Sequence, residues 1–183
     1  MAGVVETESK HRIRSRPAVV DVLARLGFRP GAEAVEADEY YDTPGGTLRA
    51  TDMVVRLRMV GGAVTACFKG PRTYLPDGSY TRLEVELPAA GLEETRRALA
   101  ARALVCVWRL QKRRREYRHD GRPVVVCLDE LPSLGEFIEL EGEPGDIEQV
   151  RRALGAHIGP AERLNYRELA TRFGLKVDAL AFP

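Results

Sequence analysis

Several kinds of chemistry have too little to work with in this chain. Three histidines (His11, His119, His157) and three cysteines (Cys67, Cys106, Cys127) occur in 183 residues, and neither set has the short spacing of a metal site or a redox pair. A serine or cysteine triad needs a histidine base, and these isolated histidines read more simply as surface or turn residues. There is no Gly-x-Ser-x-Gly elbow, phosphate-binding P-loop or dinucleotide fingerprint. An odd number of cysteines in apolar, strand-like contexts argues against a disulfide framework and for buried thiols in a reducing cytoplasm. No apolar run approaches the roughly 18 residues of a membrane span, and Met1 to Lys10 lacks the basic start and apolar centre of a leader. The expectation is a soluble, unprocessed, cytoplasmic protein. Net charge is nearly absent too: 28 basic and 27 acidic side chains leave +1. No global field steers the chain to nucleic acid or an anionic membrane, so a partner belongs in a local pocket.

What the chain has in quantity is charge, at 30% of residues, and much of it recurs with a step of two. In Val4-Val5-Glu6-Thr7-Glu8-Ser9-Lys10 a β-strand puts Glu6, Glu8 and Lys10 on one face, because side chains two apart point the same way. Taken alone, this is a solvated strand edge as readily as a site. The step recurs, however, at Arg56 and Arg58, at Arg82, Glu84 and Glu86, at Lys112 and Arg114, and at Glu139 and Glu141. Adjacent carboxylates repel unless they share a proton or a cation, whereas a pair holding a divalent metal beside a lysine can seat a metal-bound anion. Several such strands suggest a sheet whose charged faces meet around an enclosed site.

In order, the first strand is expected from about Val4 to Ile13. Ser15 is placed as a helix N-cap, with Pro17 in the first turn, Val19, Val22, Leu23 and Leu26 at helical spacing, and Gly27 as terminator. Ala34 to Thr43 reads as a strand ending at the turn Pro44-Gly45-Gly46. Met53 to Val60 and Ala63 to Lys69 form a hairpin across Gly61-Gly62; its arginines lie opposite the apolar side, which on an open sheet means toward water. Gly70 to Ser79 is long for a hairpin connection and reads as a mobile cover over a site. Strands follow at Tyr80 to Leu87, Leu104 to Tyr117, Pro123 to Asp129 and Leu134 to Glu141, with helices at Leu92 to Ala103, Asp146 to Leu154 and Asn165 to Phe173. A strand splits the basic run Lys112-Arg113-Arg114-Arg115 between two faces, so only half of it can serve one site. About eight mostly antiparallel strands suffice to close a barrel around a small ligand. Closure removes the edges and puts the charged faces inside, with the apolar faces outside under helices. The expected fold is α+β: a closed eight-stranded antiparallel β-barrel with peripheral helices. It forms one domain over residues 1–183, the barrel at about 4–142 and a C-terminal helical cap at about 145–175.

These blocks resemble one family in order and over nearly the whole chain. Glu6-Thr7-Glu8-Ser9-Lys10 is similar to the Glu-x-Glu-x-Lys signature of the CYTH superfamily, which contains class IV adenylyl cyclases, thiamine triphosphatases and inorganic triphosphatases. Asp38-Glu39-Tyr40-Tyr41-Asp42-Thr43-Pro44, Arg56-Leu57-Arg58, Phe68-Lys69-Gly70-Pro71-Arg72, Arg82-Leu83-Glu84-Val85-Glu86 and Lys112-Arg113-Arg114-Arg115-Glu116-Tyr117 resemble its successive blocks. Leu128-Asp129-Glu130 and Leu134-Gly135-Glu136-Phe137-Ile138-Glu139-Leu140-Glu141 resemble its closing one. The resemblance implies the tunnel fold of triphosphate tunnel metalloenzymes. It implies that Glu6, Glu8, Glu139 and Glu141 coordinate Mg²⁺ or Mn²⁺, and that Lys10, Arg56, Arg58, Lys69, Arg82, Lys112 and Arg114 grip phosphate oxygens. Asp129, with Glu84 and Glu86, is expected to orient metal water or the basic residues; the catalytic set is then Glu6, Glu8, Lys10, Asp129, Glu139 and Glu141. Tyr40 and Tyr41, near the end of the second strand, are candidates to contact substrate, with Tyr41 grouped beside Glu84 and Glu86; the plainer reading makes one of the pair packing and the other surface. Where the family has a basic residue before Ser-Tyr, this chain has Arg163-Leu164-Asn165-Tyr166-Arg167, leaving either Arg163 or Arg167 to reach the substrate from a helix that plugs one tunnel mouth.

The resemblance implies a metal-dependent enzyme acting on inorganic triphosphate, thiamine triphosphate or ATP. If water attacks a terminal phosphorus, the product is phosphate; if the ribose 3′-hydroxyl of ATP attacks the α-phosphorus, cyclic AMP and pyrophosphate result. Hydrolysis is placed first, cyclisation is the alternative because no adenine pocket is identified, and non-catalytic binding of polyphosphate or nucleotide is third. A homodimer is expected by base rate alone.

Overall fold

Alternation along a strand becomes an inside and an outside when the sheet closes, and here it closes. The computed structural model describes residues 3–175 and 181–182. In chain order it contains β1 (Val4–Ile13), α1 (Arg16–Arg25), β2 (Arg29–Asp42), the one-turn α2 (Thr47–Ala50), β3 (Val54–Val60), β4 (Ala63–Lys69), β5 (Thr73–Tyr74) and β6 (Tyr80–Pro88). There follow α3 (Leu92–Ala100), β7 (Val105–His119), β8 (Arg122–Leu131), β9 (Gly135–Glu141), α4 (Pro144–Leu154), β10 (Ile158–Ala161) and α5 (Tyr166–Arg172). Strands β1, β9, β8, β7, β2, β3, β4 and β6 are successive antiparallel neighbours, and β6 pairs back onto β1. That makes the closed eight-stranded barrel expected from the pattern. One edge of β1 pairs with β9, placing Glu8 opposite Glu141 and Lys10 opposite Glu139. The other edge is shared: Val4 to Glu8 pair with β6, and His11 and Ile13 with β10.

Local chemistry sets the turns. Gly61 and Gly62 both have positive φ, 55° and 88°, the backbone of a two-residue hairpin turn whose twist matches its strands. In α1, Pro17 sits in the first turn after an extended Ser15, and Gly27 at φ 86° leaves the helix. Ser15 caps by its backbone geometry alone, since its side chain makes no cap hydrogen bond.

The packing is inverted relative to an ordinary small barrel. Val19, Val22 and Leu23 of α1 and Ile147, Val150 and Leu154 of α4 pack on Val126, Leu128, Ile138 and Leu140, outside β8 and β9. Leu99 of α3 covers Tyr41, Val55, Leu57 and Ala66 on the outside of β2 to β4. Truncating a fully buried member such as Leu128 to alanine costs about 2–5 kcal/mol. A third cluster lies inside one end of the barrel, where Trp108, Leu110, Leu131 and Phe137 meet Tyr166, Leu169 and Ala170 of α5. That end is stoppered by side chains.

Three elements depart from the sequence-based expectation: α2, β5 and β10. Residues 70–79 are not a free cover. Thr73 and Tyr74 pair with Thr81 and Tyr80, and Arg72 donates to both carboxylate oxygens of Asp52 at 2.7–3.0 Å and to the Arg163 carbonyl at 3.0 Å. Arg56 and Arg58 turn into the barrel rather than toward water. Among the described residues no helix is long and apolar enough to cross a membrane.

Candidate active site

Closure of the sheet encloses a cavity of about 840 Å³. Into it β1 sends Glu6, Glu8 and Lys10, β9 Glu139 and Glu141, β6 Arg82, Glu84 and Glu86, β4 Lys69, β3 Arg56 and Arg58, and β7 Lys112 and Arg114. These charges sort into two walls.

On the wall formed by β1, β9 and β6 the carboxylates crowd one another. Burial is the main reason the Glu6 carboxyl is pushed up to about 9; the neighbouring Glu84 and Glu141 carboxyls push it the same way. Glu8 is raised by burial and then by the charge of Glu139. Glu141 rises to about 7 because burial and the charges of Glu8 and Glu139 outweigh Arg114. Burial pushes Glu139 the same way, but Arg114 prevails and holds it at about 2. Like-charged carboxyls in a poorly solvated site cannot all ionise without a compensating cation. Their oxygens stay apart: among the described residues the one group of three acidic or sulfur donors within 4.8 Å of one another is Cys67, Glu84 and Glu86. In that group Glu84 is engaged by Lys69 at 2.5 Å and Glu86 by Arg56 at 3.3 Å.

The opposite wall is compensated within the chain. Asp129, with 0% exposure, lies behind the lining, accepts from Lys112 at 2.9 Å and from Arg114 at 2.6 and 2.7 Å, and takes the Tyr166 hydroxyl at 2.9 Å. Arg58 is gripped at both ends by Asp38, at 2.8 Å each, and by Glu36 at 2.9 Å. Burial raises Asp38 and Asp129, yet the surrounding cations carry both far below the usual carboxylate range. Other cations keep donors in hand. Arg56 has a buried Nε without a partner and reaches Asp38 at 3.8 Å. Arg82 is anchored on backbone carbonyls, Gly70 at 2.8 Å and Asp52 at 3.1 Å, rather than on an acid. Lys10 lies 4.6 Å above the Tyr166 ring centre, and no ion pair holds it among the described residues.

Residues 5–168 match the family model of the CYTH domain. The chain belongs to the CYTH family. It is 28% identical over 151 residues to the Methanocaldococcus jannaschii protein MJ0240, provisionally named an adenylate cyclase, covering 82% of this chain and 84% of that one. Among solved structures it resembles a Vibrio parahaemolyticus protein with the same provisional name, at a TM-score of 0.72, 21% identity, and coverage of 92% of this chain and 99% of the other. It also resembles HpAC1 of Hippeastrum, an adenylyl cyclase by provisional name described as having a dominant triphosphatase activity, at a TM-score of 0.69, 17% identity, and coverage of 93% and 97%.

The geometry of this CYTH domain also grades the residues singled out from sequence. Tyr41 borders the cavity but packs in the cluster under α3, where its hydroxyl donates to Glu39 at 2.7 Å. Tyr40, one residue earlier, packs against Trp108 at the stoppered end. Arg163 stacks on Tyr74, 5.3 Å from its ring centre, away from the lining; Arg167 lines the cavity. Sequence reading missed Glu36, Asp38, Trp108, Tyr166, Arg49 and Arg172. The step of two in Glu36, Asp38 and Tyr40 is the same signal as in the other strands and points to the first pair. Tyr166 carries no such signal, because only the docking of α5 brings it inside.

Proposed function

We propose that this CYTH domain binds a linear triphosphate inside the barrel and hydrolyses it with Mg²⁺ or Mn²⁺. One observation carries the reading: a single cavity brings carboxylate oxygens short of positive charge together with cation side chains that keep free donors, Lys10, Arg56 and Arg82. The donor set of Glu6, Glu8, Glu139 and Glu141 fits a hard divalent cation, since it offers carboxylate oxygens alone and three of the four are held up in pKa for want of positive charge. A cation there would supply charge neutralisation at phosphate oxygens and acidify water. The chain does the rest. Lys10, Arg56, Lys69 and Arg82 present donors to phosphate oxygens, while Asp129 and Asp38 hold Lys112, Arg114 and Arg58 in fixed orientations. Charge developing on the phosphoryl oxygens then meets dipoles and cations that need not reorganise, which is most of what phosphoryl transfer asks of a protein.

Hydrolysis is favoured over cyclisation by the rings that border the cavity. Tyr40 and Trp108 pack on each other at 5.4 Å, and Tyr166 is edge-on to Phe137 beneath Lys10, so these three rings are engaged with neighbours rather than set out as a stacking platform. Cyclisation of ATP is the second reading, supported by the size of the cavity and by the provisional name of MJ0240. Product analysis separates them: purified protein is incubated with inorganic triphosphate, thiamine triphosphate or ATP, with Mg²⁺, Mn²⁺ or EDTA. Phosphate release that EDTA abolishes is the expected result. Cyclic AMP with pyrophosphate would establish the second reading, and no product from any substrate would sink both.

A further inference from the structure

Tyr166, the first residue of α5, is buried among the charged side chains that line the cavity, at 7% exposure. A capping box fixes its backbone: Asn165 accepts from the Glu168 N–H at 2.9 Å, and Glu168 accepts from the Asn165 N–H at 2.7 Å. Leu169 and Ala170, one turn on, anchor the helix against Trp108, Leu110, Leu131 and Phe137. The Tyr166 hydroxyl donates to Asp129 at 2.9 Å, and the Phe137 ring stands edge-on to the phenol ring at 5.2 Å. Held at both ends, the ring has one orientation. Burial, and then the charges of Asp129 and Glu139, carry the phenol well above its ordinary range, so it stays a proton donor.

Two ammonium groups lie over this ring, Lys10 Nζ from β1 at 4.6 Å from its centre and Lys112 Nζ from β7 at 5.7 Å. The lysines that line the cavity differ in what else holds them. Lys69 meets Glu84 at 2.5 Å and Lys112 meets Asp129 at 2.9 Å. Lys10, only 4% exposed, makes no side-chain hydrogen bond or ion pair among the described residues. Glu139, its partner across the β1–β9 pair, is taken by Arg114. A buried ammonium without a counter-charge is costly. An aromatic face offsets part of that cost through its quadrupole, more strongly where water is excluded. The ring also differs from an acid in what it leaves behind. A carboxylate neutralises an ammonium and occupies its donors, whereas a ring fixes its place and leaves its formal charge and three N–H donors for an incoming anion.

We propose that the Tyr166 ring positions Lys10, holding that ammonium in place for phosphate oxygens without neutralising it. Tyr166 is thus a positioning residue supplied by the docking of α5, and Lys10 is the group that meets the anion. Lys112, already held by Asp129, depends on the ring less. The proposal rests on the triphosphate reading of the site.

The test changes the electrons of the ring and keeps its shape. The full-length protein is compared with Tyr166→Phe and with a variant carrying pentafluorophenylalanine at position 166, a ring of similar size whose face no longer attracts cations. KM and kcat for inorganic tripolyphosphate with Mg²⁺ are measured alongside the melting temperature. The expected result is a KM for the fluorinated ring about tenfold above that of Tyr166→Phe, at closely similar melting temperatures. Equal KM values for the two rings overturn the proposal and leave Tyr166 as packing, while the triphosphate reading stands. If tripolyphosphate is not turned over, calorimetric titration with it decides the matter. Weaker binding to the fluorinated ring than to Tyr166→Phe then upholds the positioning while the hydrolytic reading falls, and equal binding overturns it. No binding by the unmodified protein overturns the triphosphate reading and the proposal together. Should the pentafluoro variant not fold, singly and doubly fluorinated phenylalanines at the same position replace it; a KM that climbs with each fluorine is expected, and a flat series overturns the proposal.

Discussion

On the wall built by β7, β2 and β3, each buried carboxylate stands against a cation: Asp38 against Arg58, and Asp129 against Lys112 and Arg114. On the wall built by β1, β9 and β6, carboxylates stand mainly against one another, with Glu8 opposite Glu141 across the strand pair and Glu6 beside Glu84. The first wall is complete within the chain and is held rigid by its own ion pairs. The second is left short of positive charge, and its Glu6, Glu8 and Glu141 carboxyls are raised. Burying ion pairs adds little net stability, but breaking one leaves a stranded charge. The compensated wall therefore serves to fix cations in place, and the crowded wall is the one proposed to recruit a metal ion.

That contrast can be broken at several points. The largest effect is expected from Asp129→Ala, which strands Lys112 and Arg114 in the interior and should cost about 3–5 kcal/mol in chemical denaturation; a loss under about 1 kcal/mol would show that the wall does not depend on internal compensation. Next comes Glu6→Gln, which removes an acid from the crowded wall. Divalent-dependent turnover should fall by about 10²–10³-fold with no loss of melting temperature, and undiminished activity would remove Glu6 from the site. Arg56→Ala and Arg58→Ala sharpen the comparison within one strand. Arg56, with a free donor, should raise KM by about tenfold, whereas Arg58, held by Asp38 and Glu36, should affect melting more than KM; the reverse order would show that the ion pairs open for substrate.

The smallest effect is one of pH. Glu6 and Glu141 have pKa values raised to about 9 and about 7, so between about pH 4.5 and 9 the folded protein holds protons that the unfolded chain has released. Their contribution to stability is present at low pH and is lost as pH rises through that window. Carboxyls held low, such as Glu39 and Glu139 at about 2, act in the opposite sense and below about pH 4.5, so the windows do not overlap. Without divalent cation the protein should melt lower at pH 8 than at pH 6, and Mg²⁺ should raise the melting temperature more at pH 8, where it competes with fewer protons. An equal Mg²⁺ effect at both values would count against the crowded wall as its binding place.

Much of this could be read from the chain because a closed barrel preserves the strand period. Glu6, Glu8 and Lys10, like Arg82, Glu84 and Glu86, fall on one face by arithmetic alone, and closure turns that face inward. The parts that escaped depend on docking. Strands β5 and β10 are two and four residues long, too short for a periodic signal, and Gly159 and Pro160 argue locally against the second of them. The difference between Arg56 and Arg58 is invisible in sequence, since it follows from which neighbour on β2 or β6 each one meets.

The register of β1 has a consequence for how the molecule is made. Its partners, β6 and β9, lie far along the chain, and Glu8 meets Glu141 only once β9 exists. Pairings between residues so distant in sequence form slowly, so shutting the barrel is expected to come late in folding. The repelling carboxylates are brought together at that same step. A partly folded chain is thus spared their repulsion, and the donor set proposed for a divalent cation is assembled only in the finished barrel.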